Sequence, residues 1–237
     1  MCWSADVSLA MVGLGAVATG VTLWRGEKAG IWATLGYFTF MEGLQAAGYA
    51  VVDDCGNPAN TSVTLLSYLH IAFQPFFINA FAMALIPYAL PKVVRQAVWA
   101  VCAAAAAFMV AQLIPLESLG KCAPGSVLCG ERMCTVTGTW HIGWEVPLNG
   151  LTGLGYEVMG RLFQFPSYLI AGFVVPLLYG AWRFVLFHAI AGPGLALMLT
   201  SNANEMPAVW CLFSIGIVLT GMSPLIRRKM AGPRAAA

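Results

Sequence analysis

The residues of this chain that could do chemistry stand inside apolar stretches. Glu42 and Gln45 lie three apart in one of them, and Ser67, His70, Gln74-Pro75 and Asn79 follow one another in the next. Positions three or four apart share a face of a helix, so Glu42 with Gln45, and Ser67 with His70 and Gln74, form two polar stripes. An ionised carboxylate near the middle of a bilayer costs on the order of 3 kcal/mol or more. A polar group left unpaired in hydrocarbon is similarly unfavourable. These side chains must therefore meet other protein groups, a proton or a wet cavity. An acid and an imidazole on neighbouring helices suit the binding of a small solute or ion. His141 and Glu145, in the later passage Trp140-His141-Ile142-Gly143-Trp144-Glu145-Val146-Pro147, could close such a site from above.

The surroundings of these residues follow from composition. The chain is 59% hydrophobic and 9% charged, against roughly 25% charge in soluble domains. It reads as an integral membrane protein whose partner is the lipid bilayer. A formal net charge of +2 is too small to suggest nucleic acid. At about 20 residues per crossing, residues 1–237 make a single transmembrane helical domain with no room for a separate soluble one.

Residues 5–24 form the first apolar run. It reads as an uncleaved crossing, because Asp6 stands where a secretory signal carries positive charge and the basic residues Arg25 and Lys28 follow the run. The second run, 30–51, stops at the turn-forming string from Asp53 to Pro58. The third is 62–87. After Lys92 and Arg95 comes the fourth, 96–115, with a smooth small-residue face at Ala103–Ala107. Residues 116–165 are the one long polar region, expected as an external cap whose later half lies in the membrane interface. The apolar stretch that follows, 167–200, is roughly 50 Å long as helix and overshoots a hydrocarbon core of roughly 30 Å. A turn near Arg183 divides it into 166–182 and 184–200. The alternative breaks at Gly192-Pro193-Gly194 and makes 140–160 a crossing. Residues 207–226 form the last helix.

Positively charged loops stay cytoplasmic. This threading puts Arg25, Lys28, Lys92, Arg95, Arg183, Arg227, Arg228, Lys229 and Arg234 on one side, and Lys121, Arg132 and Arg161 on the other. The fold class is therefore all-α: a bundle of seven transmembrane helices in the plasma (inner) membrane, N-terminus outside and C-terminus cytoplasmic.

Cys2, Cys55, Cys122, Cys129, Cys134 and Cys211 fall at the outer, oxidising face, and only Cys102 lies mid-membrane. They are disulfide candidates, with one bridge expected inside 122–134 and Cys2 tied to Cys55 or Cys211. A zinc site from Cys122, Cys129, Cys134 and His141 matches no standard ligand spacing.

The functional classes differ in what they need. A transporter or ligand-sensing receptor needs a titratable group in a cavity and helices that bend. Glu42, His70, Pro75, Pro176 and Gly192-Pro193-Gly194 supply these, so the reading is a small-solute or ion site of Glu42, Gln45, His70, Gln74, His141 and Glu145. A membrane metal hydrolase would draw on Glu42, His70, His141 and Glu145. A haem protein would need His70 and His141 to face each other. Helix registry alone is the structural alternative. A retinal-type Schiff base lacks its helix lysine, and no motif names a cofactor. His188 reads as a packed or interfacial histidine.

Met1-Cys2-Trp3-Ser4, with Glu42-x-x-Gln45, His70-x-x-x-Gln74-Pro75 and Trp210-Cys211, resembles a family of small polytopic bacterial membrane proteins of unknown function. The likeness covers most of the chain. It implies the membrane fold and nothing about mechanism. The paired-histidine last helix of ceramidase-like and progestin-receptor-like hydrolases is missing from the sequence.

Overall fold

The computed structural model describes residues 3–152 and 165–231. Helices α1 (Ala5–Trp24), α2 (Ala29–Ala50), α3 (Pro58–Leu85) and α4 (Lys92–Ala111) come first. Three helices follow the cap, α5 (Pro166–Leu178), α6 (Trp182–Leu199) and α7 (Met206–Met222), and a short α8 (Pro224–Ala231) ends the described chain. Local chemistry sets several of these boundaries. Ser4 and Asn57 cap α1 and α3 by accepting backbone N–H groups with their side chains, and Pro58 occupies the first turn of α3, where its missing N–H is harmless.

Four of the described helices, α1, α3, α4 and α6, are long and apolar enough to cross a membrane, and α7 and α8 reach that length only when counted together across a bend of 106°. The last helix was expected to run to residue 226. It stops at Ser223 because Pro224 has no N–H for the ladder and its ring collides with the preceding turn. The long apolar stretch turns at Tyr179-Gly180-Ala181, where Gly180 takes φ +86°, a conformation that suits glycine. Gly192-Pro193-Gly194 does not break the chain. The helix widens there to a π-helical turn at Ile190–Gly194 that accommodates Pro193.

Helix α3 is the centre of the bundle: 61% of its apolar window is buried, against 22% for α1 and 28% for α4. Helix α2 packs between α1 and α3 and also meets α7, while α5 packs on α3 and α4. Leu9, Leu14, Val17 and Trp24 of α1, with Ile190 and Met198 of α6, are exposed. Large apolar side chains in such numbers on an outer surface suit lipid rather than water.

The expected cap over 116–165 is described to residue 152, and its later half from 153 to 164 lies outside the described residues. Strands β1 (Cys134–Thr137) and β2 (Ile142–Glu145) form an antiparallel hairpin with Cys134 opposite Glu145 and Thr137 opposite Ile142, which also removes a helical crossing at these positions. Threonine, valine and tryptophan fit a pleated, half-buried surface. Two disulfides hold the cap, Cys55–Cys134 and Cys122–Cys129. The bridge inside 122–134 is thus present, whereas Cys55 is bonded neither to Cys2 nor to Cys211. Cys211 is a buried free thiol whose Sγ donates to the Pro207 carbonyl, since the turn that carries it packs into the bundle. Cys2 and Arg161 lie outside the described residues.

Candidate functional site

On α2, Glu42, Gln45 and Tyr49 occupy one helical stripe, and the structure turns that stripe toward α7 and the cap. The Glu42 side chain is buried. Ser214 of α7 donates its hydroxyl to Glu42 Oε1 at 2.9 Å, and Glu42 Oε2 has no hydrogen-bond partner among the described residues. One turn outward, the Gln45 amide reaches the Ala208 carbonyl of α7 at 3.5 Å. A further turn outward, the Tyr49 hydroxyl stands 3.3 Å from His141 Nδ1. The result is a column of polar groups descending from the hairpin turn into the interface between α2 and α7.

His141 closes the top of this column. The Ile142 N–H donates to Nδ1 at 2.7 Å, so Nδ1 is the bare acceptor of the ring, Tyr49 donates to it, and the ring proton sits on Nε2. Trp3 stacks on the ring with centroids 5.6 Å apart, its backbone N–H donating to the Trp140 carbonyl and its indole N–H to the Ser8 hydroxyl. Burial pushes the His141 imidazole down to about 3, because a charged ring there would lose its hydration.

Glu205 anchors the hairpin turn, and nothing in the sequence reading singled it out. It is fully buried in the link between α6 and α7. Its carboxylate accepts from the N–H groups of Thr139 (3.2 Å), Trp140 (2.5 Å) and His141, and from the Thr200 hydroxyl at 2.6 Å. A carboxylate with four donors is a strongly held structural clamp. The available signal was its place, an acid in the polar string just ahead of Pro207 at a helix start. Ser214, the partner of Glu42, was also missed, since an isolated serine in an apolar helix has no distinguishing pattern.

The other expected site residues point elsewhere. His70 is clamped to α2 by a reciprocal pair: its Nε2–H donates to the Tyr37 carbonyl at 2.8 Å and the Tyr37 hydroxyl donates to the His70 carbonyl at 2.5 Å. The two rings stack 3.8 Å apart, and the imidazole borders a groove with the exposed rings of Phe40 and Phe73. Among the described residues no hydrogen bond joins Glu42 to His70: that of Glu42 runs to Ser214 of α7 and that of the His70 ring to the Tyr37 carbonyl. Gln74 accepts from the Tyr168 hydroxyl of α5. Asn79 donates to the Pro75 and Ala171 carbonyls and accepts from Tyr179, joining α3 to α5 beside the proline. Glu145 is half-buried on β2 against Gly130, and its side chain forms no hydrogen bond among the described residues.

His188 is packed. Phe173 and Phe213 sandwich its ring at 4.3 Å each, and Trp210 donates to its Nε2. Three of the sulfurs that the zinc reading required are held in bridges, and among the described residues no three His, Cys, Asp or Glu side chains converge as metal ligands.

A family model matches residues 6–231, and the chain belongs to that family, DUF5765, a family of unknown function. No curated protein and no solved structure matches it.

Proposed function

We propose that this family member is a seven-crossing protein of the plasma membrane, cap outside, that binds a proton or a small cation at Glu42 as a transporter or ligand-sensing receptor. One observation carries the reading: the Glu42 carboxyl is 2% exposed, with one oxygen held by Ser214 and the other bonded to nothing among the described residues. A carboxyl so placed needs a proton or a cation to offset its lost hydration. Gln45 and Ser214 orient it, and the way in from the outer face runs past Tyr49 and His141. Opening that way requires the hairpin turn to lift from α2.

Infrared difference spectroscopy of the purified protein in nanodiscs tests this. A carboxylic C=O band should appear, belong to Glu42 by its loss in Glu42→Gln, and respond to pH or to added sodium or potassium ions. The same variant should lose cation- or proton-dependent uptake in proteoliposomes while keeping its thermal stability within about 1 kcal/mol, because glutamine still accepts from Ser214. A band that ignores pH and every cation would leave the Glu42–Ser214 bond a tie between α2 and α7.

A further inference from the structure

The end of the molecule opposite the cap carries a second feature. The last turn of α3, the link that follows it, the start of α4 and the start of α2 border an open hollow of about 620 Å³. Lys28, Lys92 and Arg95 stand on its rim, Tyr88 and Trp99 in its wall, and its lining includes no acid. Lys28 is aimed by a 3.0 Å bond from its ammonium to the Ala84 carbonyl, which leaves its remaining donors for a ligand. Lys92 and Arg95 are exposed and form no ion pair among the described residues. Glu27, the acid nearest to Lys28 in sequence, is held by Arg227 at 2.5 Å. Helix α4 starts at Lys92 with no side-chain cap, so its first N–H groups add positive potential at the same rim. Trp99 is stacked on Phe76 at 6.0 Å, a fixed apolar surface beside the cations. Lys28 also borders a second hollow of about 330 Å³ that carries Arg227 and Arg228.

We propose that this hollow is a binding site for an anionic phospholipid of the inner leaflet. Its phosphate sits among Lys92, Arg95, Lys28 and the start of α4, and its glycerol and first methylenes lie on Met83 and Trp99. Both halves of the hollow are needed for that assignment. Unneutralised cations between helices on the cytoplasmic side suit a lipid headgroup, and the aromatic rings at that level suit the membrane interface. A free phosphate ion would use the rim and leave the apolar wall without a role. The site is independent of Glu42.

The test uses the full chain in detergent, titrated with short-chain phosphatidylglycerol, phosphatidylcholine or inorganic phosphate and read by native mass spectrometry and thermal shift. Phosphatidylglycerol should be retained and should raise the melting temperature; phosphatidylcholine should do neither. The double variant Lys92→Gln/Arg95→Gln, at exposed positions, should lose about thirtyfold in retention. The charge-keeping pair Lys92→Arg/Arg95→Lys should restore most of it. Lys121→Gln/Arg132→Gln, at the cap end, should bind as the wild type does. Equal retention of the two lipids, an equal loss in the cap-end variant, or displacement of the lipid by inorganic phosphate at similar concentration would each overturn the proposal.

Discussion

At the scale of single residues, the burial of His141 ties one side chain to the pH dependence of folding. Its Nδ1 accepts from Ile142 and Tyr49, so adding a proton there breaks two hydrogen bonds and buries a charge. The folded-state value is lowered to about 3, while an unfolded histidine titrates near 6.5. Between those values the unfolded chain binds the proton and the folded chain does not. Stability from this group is therefore complete above about pH 6.5 and is lost as the pH falls toward 3, at a slope approaching roughly 1.4 kcal/mol per unit. Chemical denaturation of the wild type and of His141→Gln, followed from pH 7 to 4, should show the wild type losing stability more steeply on acidification. Parallel curves would mean that the ring is already charged or already solvated. His141 was legible as a polar residue in a tryptophan-rich passage. Its bond to Tyr49 was not, because nothing in the sequence says that the passage folds as a hairpin.

At the scale of elements, the hairpin is joined to the bundle more firmly than a polar loop suggests. Cys55–Cys134 closes a span of 79 residues between the end of α2 and β1. The same junction carries the Asp53 carboxylate accepting from Thr137 and the Asn60 side chain bonded to Thr135 and Val51. Constraint of the unfolded chain by such a bridge stabilises by about 2 to 4 kcal/mol. The double variant Cys55→Ser/Cys134→Ser should lose that much in thermal or denaturant unfolding, and reductant should lower the melting temperature of the wild type more than that of the variant, which keeps only Cys122–Cys129. An unchanged midpoint would mean that Asn60 and Asp53 hold the junction alone. The helices themselves were legible, because long apolar runs can satisfy their backbones in lipid only as helices. The facing of α2 was not. A short connection makes α2 and α3 neighbours but leaves open which face of each they share. Tyr37, which clamps His70, and Glu42 are five positions apart, roughly 140° around the helix, so a residue turned to His70 and one turned to α7 coexist on the same element. The hairpin was missed for a related reason: strands of four residues amid glycines give too short an alternation to stand out from an interfacial segment.

At the scale of the whole molecule, charge and sulfur divide the protein into two ends. Lys28 bonds to the end of α3, Arg183 donates to the Lys229 carbonyl beyond α7, and Arg227 pairs with Glu27 ahead of α2. These ties draw Arg25, Lys28, Lys92, Arg95, Arg183, Arg227, Arg228 and Lys229 to one end, where Glu27 is the acid among the described residues. The other end holds both disulfides, the residues Asp6, Asp53, Asp54, Glu117, Glu131, Glu145 and Glu205, and, among the described basic residues, Lys121 and Arg132. Two separate physical arguments orient such a molecule. Basic loops are retained in the cytoplasm, and bridges persist where the surroundings oxidise. In the topology proposed above, both put the cap outside and α8, bent 106° from α7, along the inner surface with Arg227, Arg228 and Lys229 beside the headgroups. Reporter fusions that are active only outside the cytoplasm should therefore be silent after Arg95, Gly180 and Arg228, and active when inserted at Gly125 in the cap. Activity after Arg95 and Arg228 together would invert the protein, and activity after Gly180 with silence after Arg228 would mean that α5 and one of α6 and α7 do not cross. In the inverted arrangement the disulfides would face a reducing compartment, so the redox state of Cys55 and Cys134 in intact cells is a second, chemically independent readout of the same topology.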